Sequence, residues 1–212
     1  MFSKQQLESF FSNNKGITLF EKQKDCIVEA INKKSMLIMG ETGVGKTLIA
    51  SFIMKILYKA GVCKKFLILT KTEVLEKMEN HVIDYLDVDP SRVGRMKSNN
   101  DRDLFTKDYD FYICDYNQIK LCMKYCGGKS LGITSDWGII LDEVQYIKNL
   151  SSAIHKTVKK AVKNAVCKFG FSWTPIEKIE DFHGVFEILN PKIINFIKAW
   201  SKNKNVKLKD NS

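Results

Sequence analysis

The chain has 212 residues, 44% of them apolar, and 34 basic against 24 acidic side chains for a net charge of +10. That is enough apolar material for one well-buried core, and three prolines with no Pro/Gly/Ser-rich break read as one domain without internal repeats. No apolar run is long enough to span a bilayer, the amphipathic start FSKQQLESFF is no signal peptide, and six scattered cysteines lack zinc-site spacing. These features argue against membrane-spanning and secreted classes, and favour buried reduced thiols over a metal site. They lead us to expect reduced thiols in an intracellular protein, in prokaryotic or virus-infected cytoplasm or in a nucleus. The basic excess suits a nucleic acid partner. A Lys-rich surface from an AT-rich genome explains it equally well.

In chain order, apolar residues spaced by three or four predict amphipathic helices over 3–13 and 20–32. SMLIM (35–39) is a short strand, and TLIASFIMKILYKA (47–60) is a buried helix stopped by Gly61. KFLILT (65–70) is a strand followed by a helix over 72–86, and FYIC (111–114) is a strand feeding a helix over 116–125. WGIIL (137–141) is a strand before a helix over 151–163 with serine at its start. A strand over 166–172, a helix over 178–189 and a last helix from Pro191 to about Trp200 complete the pattern. Strands apolar along their whole length, alternating with helices, imply a mostly parallel α/β sheet covered on both faces. Ligands then bind beyond the carboxyl ends of the strands, where every motif below falls.

GETGVGKT (40–47) follows the first strand and opens a helix. Gly40, Gly43 and Gly45, with Thr42 and Val44 between them, let backbone N–H groups face inward. The helix N-terminus adds partial positive charge. Lys46 would reach terminal phosphates and the Thr47 hydroxyl would hold magnesium. Asp142 and Glu143 end the apolar strand WGIIL. Asp142 suits a magnesium ion, held through water, and Glu143 the orientation and deprotonation of an attacking water. Lys46, Asp142 and Glu143 are the candidate catalytic residues.

These strings resemble the superfamily 2 helicase-type ATPases, and within them the Swi/Snf-like DNA translocases, over roughly residues 17–191. LFEKQKDCIVEAI resembles the segment in which a glutamine, here Gln23, reads adenine. GETGVGKT matches motif I, and LILTKTEVLEKME resembles a nucleic-acid-contacting loop that includes Thr70 and Lys71. DYDFYICDYNQI carries Tyr116, another nucleic-acid position. WGIILDEVQYIKN resembles motif II, with Gln145 as a coupling residue and Lys148 near nucleic acid. FGFSWTPIEKIEDFHGVFEILNP resembles motif III, with Thr174 as a coupling residue. The chain departs from the pattern at Lys71 (usually Pro), Met78 (usually Trp), Gln145 (often His), Trp173 (usually Gly) and Lys178 (commonly Asn). Trp173 sets a bulky ring in the turn that the resemblance assigns to coupling between nucleotide and nucleic acid.

The resemblance implies a three-layer RecA-like P-loop domain that binds ATP with magnesium and acts on nucleic acid, double-stranded DNA first, with no membrane partner. It divides the chain into a helical extension (1–16), a RecA-like lobe (17–191) and a C-terminal helix with a basic tail (192–212). Nothing after Pro191 resembles the second lobe that supplies arginines to the cleft, so weak turnover is expected from this lobe alone. That lobe would follow in a longer chain or come from a partner protein, the latter suiting a short viral protein. A catalytically silent adaptor on a relic helicase lobe is the alternative. His81, His155 and His183 receive no chemistry from the sequence. Trp137, Phe10 and Phe11 are expected to pack, and the Lys-rich tail is a frayed terminus, an interdomain linker or a phosphate contact.

Overall fold

The computed structural model describes residues 1–12, 16–41, 43–173 and 179–194. Among these the strands are β1 (Ser35–Met39), β2 (Lys65–Thr70), β3 (Val93–Arg95), β4 (Phe111–Asp115), β5 (Trp137–Asp142) and β6 (Cys167–Ser172). The helices are α1 (Lys4–Ser12), α2 (Glu21–Lys33), α3 (Lys46–Lys59), α4 (Leu75–Leu86), α5 (Ile119–Tyr125), α6 (Ala153–Val162) and α7 (Ile179–Leu189). The strands form one sheet in the order β1-β6-β5-β2-β4-β3, with every pair parallel. No described helix is long and apolar enough to cross a membrane.

The sheet divides two cores, and strand alternation decides which side chain enters which. Phe66, Ile68, Phe111, Ile113 and Ile140 pack with α1, α2, α3 and α4. Leu67, Leu69, Tyr112, Cys114, Ile139 and Leu141 pack with α5, α6 and α7. This accounts for the unbroken apolar runs, since both faces of each central strand are covered. Helix α3 is apolar nearly all round because it lies between the sheet, α2 and α4. Phe11 packs at a ring separation of 6.2 Å from Phe52, joining α1 to this core as expected, and Phe10 is partly buried against it.

Register brings the strand ends level. Met39 pairs with Ser172, Phe171 with Asp142, Leu141 with Leu69, and Thr70 with Asp115. The residues after β1, β6, β5, β2 and β4 therefore lie along one rim of the sheet.

Several short elements were not anticipated, among them 3₁₀ turns at Pro90–Arg92 and Val144–Ile147. β3 has only three residues and one large apolar side chain, so it owes its existence to pairing with β4 rather than to its own pattern. The polar segment Asn99–Thr106 forms a 3₁₀ turn with Ser98 capping its start. The predicted helix at 72–86 begins as a 3₁₀ turn (Thr72–Val74), and that at 116–125 becomes helical only from Ile119. Lys178, most of the predicted helix after Pro191 and the basic tail lie outside the described residues.

Helix α7 is seated by two contacts that periodicity cannot show. A Cβ at Gly184 would lie 1.8 Å from the Lys148 carbonyl oxygen, so the helix backbone rests directly on the turn after β5. Gly184→Ala is expected to destabilise the fold by about 3 kcal/mol, read as a lower denaturation midpoint at unchanged slope. The buried His155 ring bridges the Ile147 carbonyl oxygen (2.7 Å, from Nδ1) and the Glu187 carboxylate (2.9 Å, from Nε2), and Lys159 pairs with the same carboxylate at 3.0 Å. Burial pushes the Glu187 carboxyl up, but hydrogen bonds from Lys159 and His155 outweigh it and leave it below its ordinary value. A depressed carboxylate stabilises the fold above its unfolded-state value, and that contribution is lost as pH falls through the folded one. Glu187→Gln should thus destabilise the protein by about 1 kcal/mol at neutral pH. The difference should shrink once the pH falls below 4.5, as thermal melts across pH would show.

Candidate nucleotide site

At the rim, Gly43 and Gly45 take left-handed backbone (φ 91° and 84°) where the chain curls from β1 into α3. A side chain at Gly45 would also collide with Gln23, its Cβ only 2.5 Å from Nε2. Gly40 N–H donates to the Ser172 carbonyl (3.1 Å), tying the loop to β6. Gln23 holds the loop from the α2 side: its Nε2 donates to the Val44 carbonyl and its Oε1 accepts from Phe20 N–H, both at 2.9 Å. The Lys46 ammonium lies folded on the loop, donating to the Gly40 (2.8 Å) and Glu41 (2.9 Å) carbonyls.

A cleft of about 560 Å³ opens here. Its walls are Gly43, Gly45, Lys46, Thr47 and Leu48 from the first loop and helix, Lys71 and Val74 after β2, and Lys77, His81 and Tyr85 on α4. Asp142 and Glu143 after β5 and Trp173 after β6 complete them. Gly43, Gly45, Lys46, Thr47, Lys71, Asp142 and Glu143 thus meet, although about a hundred positions separate the loop from the acidic pair. Gly40, Val44 and Gln23 shape the loop without lining the cleft. Thr42 and Thr174 lie outside the described residues.

The acidic pair is held on three sides. Thr70 Oγ1 donates to Asp142 Oδ2 (2.7 Å), and the Tyr116 hydroxyl donates to the Asp142 carbonyl (2.8 Å). Burial pushes the Asp142 carboxyl up and neighbouring Glu143 adds to this, while the Thr70 hydrogen bond and the charges of Lys46 and Lys71 oppose it. Glu143 adopts φ 57°, ψ 62°. Among the described residues the other two non-glycine positions at positive φ, Lys34 and Asp87, end helices, whereas Glu143 sits in the cleft wall. Such local strain belongs with function when the surroundings enforce it. Gln145 Nε2 donates to Glu143 Oε2 (2.7 Å), and Ser172 Oγ donates to Gln145 Oε1 (3.2 Å). The end of β6 is thereby linked to the Glu143 carboxylate through Gln145.

Two expected nucleic-acid contacts are corrected. Thr70 is fully buried and Tyr116 is 1% exposed, and both hydroxyls are spent on Asp142, so their side chains position the acidic strand end instead. Lys148 is exposed at the surface but pairs with Asp181 at 2.9 Å. Lys77, His81 and Tyr85 were missed. With Val74 they make one helical face, but a face carrying Lys and His reads as solvent-facing in a periodicity count. His81 Nδ1 is buried without a hydrogen-bond partner, and burial, then Lys77, lower its basicity against the pull of Asp84.

The donors fit a nucleotide with a divalent cation. A loop of inward N–H groups at a helix start suits phosphate, and a carboxylate pushed up by burial is relieved by a cation. Among the described residues no three of His, Cys, Asp and Glu converge. Magnesium held by Thr47 and Asp142 would therefore take its other ligands from phosphate and water, as that ion does readily.

A parallel sheet with a phosphate loop after one edge strand and an Asp-Glu pair facing it defines a RecA-like lobe of the helicase type. The family model "Type III restriction enzyme, res subunit" matches residues 16–177, and the chain belongs to that family. Among solved structures, the Sulfolobus solfataricus SWI2/SNF2 ATPase core in complex with dsDNA superposes with a TM-score of 0.73 at 19% identity, over 88% of this chain and 38% of that one. The UvsW helicase from Bacteriophage T4 gives 0.64 at 19% identity, over 87% and 65%. The Pyrococcus furiosus Hef helicase domain gives 0.63 at 18%, over 79% and 35%. The chain thus spans between about a third and two thirds of those structures, and at such identities the likeness is one of fold. No curated protein matches the chain in sequence.

Proposed function

We propose that the chain binds Mg·ATP in this cleft and, completed by a second RecA-like lobe, hydrolyses it to ADP and phosphate in response to duplex DNA, as a translocase of the Swi/Snf type. The observation that carries the reading is the meeting of Lys46 and Thr47 with Asp142 and Glu143 in one cleft. The loop N–H groups receive the phosphates, and Lys46 exchanges its two loop carbonyls for their terminal oxygens. Thr47 and Asp142 would hold a magnesium ion, which would supply positive charge against the phosphates. Thr70 keeps the Asp142 carboxylate aimed into the cleft. Glu143, held by Gln145, accepts the proton of the attacking water. Gln23, beside the cleft rather than in its wall, has one amide N–H and one oxygen lone pair left over from its bonds to the loop, which an adenine edge reaching past the loop would use.

The cations in the cleft wall are all lysines. An arginine reaching the terminal phosphate is worth roughly 10³–10⁵ in rate, so this lobe alone should turn over slowly. Duplex DNA is favoured by the SWI2/SNF2 core, whose structure was solved with dsDNA, and by the net charge of +10. The test is calorimetric titration with Mg·ADP, then phosphate release with a second lobe supplied, with and without duplex. Absence of nucleotide binding at millimolar concentration would replace this reading with that of a silent adaptor.

A further inference from the structure

Four groups stand in a column across three rim loops. The Lys71 ammonium lies 5.6 Å from the Tyr146 ring centroid. The Tyr146 ring stacks on Tyr116, with centroids 5.4 Å apart and planes 13° from parallel. The Tyr116 hydroxyl holds the Asp142 carbonyl. Tyr116 is buried in the core, whereas Tyr146 is 37% exposed, so the column runs from solvent to the strand end carrying the acidic pair. Lys71 also lines the nucleotide cleft with Lys46 and Asp142. Lys71 thus belongs to the cleft wall while its ammonium lies over an aromatic face.

We infer that Tyr146 is a positioning residue: its ring keeps Lys71 beside the nucleotide, and a nucleic-acid phosphate arriving at the rim draws Lys71 away and loosens the nucleotide. This deepens, and rests on, the Mg·ATP and duplex DNA reading above. The physical basis is competition. A cation over a partly exposed ring is weakly held, and a phosphate oxygen offers it a charge-assisted hydrogen bond. Tyr146 itself is anchored by stacking on Tyr116, which is buried and hydrogen-bonded to Asp142, so it is Lys71 that moves. The ring alone is required, since a phenyl face attracts the ammonium as well. Linkage makes the effect mutual: nucleotide must weaken DNA binding by the same factor.

The test measures the affinity of a fluorescent Mg·ADP analogue with and without a short duplex, in wild type, Tyr146→Phe, Tyr146→Leu, Lys71→Met and the Leu/Met double variant. Wild type and Tyr146→Phe should bind nucleotide about fivefold more weakly when duplex is saturating. Tyr146→Leu and Lys71→Met should show no response to duplex, and the double variant should bind no more weakly than either single one. Rescue by Phe separates positioning of the lysine from a general role of the side chain in folding, which thermal melts check independently. A duplex response retained in Tyr146→Leu overturns the column alone. A wild type that binds both ligands with no mutual effect does the same. A wild type that binds no nucleotide or no duplex overturns the proposed function, and the column with it.

Discussion

Replacing Lys46 with alanine is expected to lower Mg·ADP affinity about 100-fold or more, leaving the fold intact. The Lys46 ammonium is bonded to the Gly40 and Glu41 carbonyls of its own loop, and both can turn to water when it is gone. Its removal opens no cavity in either core, so melting should change little. In the complex the ammonium would exchange those carbonyls for phosphate oxygens. Charge-assisted hydrogen bonds contribute about 1.5–3 kcal/mol each, so losing a pair of them removes roughly 3 kcal/mol, or two decades of affinity. Calorimetry with Mg·ADP reads the effect directly. Unchanged affinity would mean that the loop does not hold the phosphates.

The second large effect is expected from Glu143→Gln. With a second lobe present, turnover should fall by about 10²–10⁴, the usual contribution of a general base, while nucleotide affinity stays close to wild type. The substitution is conservative in geometry. Glutamine keeps the oxygen that accepts from Gln145 Nε2 and places no new demand on the positive-φ backbone. It removes only the basicity of the side chain. Single-turnover phosphate release separates this from altered product release. Full turnover in the variant would pass the base role to another group.

The two residues were legible to different degrees. Lys46 could be read from its own neighbourhood, because a glycine-spaced loop between an apolar strand and a helix can do few other things. Glu143 was legible as one of an acidic pair at a strand end, but its orientation was not. The left-handed backbone that presents it and the Ser172–Gln145–Glu143 chain that holds it depend on β5 lying beside β6. Thr70 and Tyr116 illustrate the limit from the other direction. Their places in recognisable strings suggested contact with nucleic acid, yet burial under the rim turns both hydroxyls toward Asp142.

Local chemistry was decisive wherever one short segment carries the whole requirement. Short unbroken apolar runs such as KFLILT and WGIIL, alternating with helices, suit strands covered on both faces, and Gly43 and Gly45 of GETGVGKT supply the positive φ angles that the phosphate turn needs. Whatever depends on partners distant in sequence had to wait for the assembled sheet. The strand β3 exists because β4 pairs with it. His155, silent in the sequence, joins α6 to α7 because Glu187 arrives 32 positions later. Lys77, His81 and Tyr85 become cleft residues only because α4 packs beside α3. Propensity and periodicity act over a few residues. The charge, burial and orientation of a side chain are set by what the folded chain places against it, and for Lys71, Tyr146 and Tyr116 that means loops up to 75 positions apart.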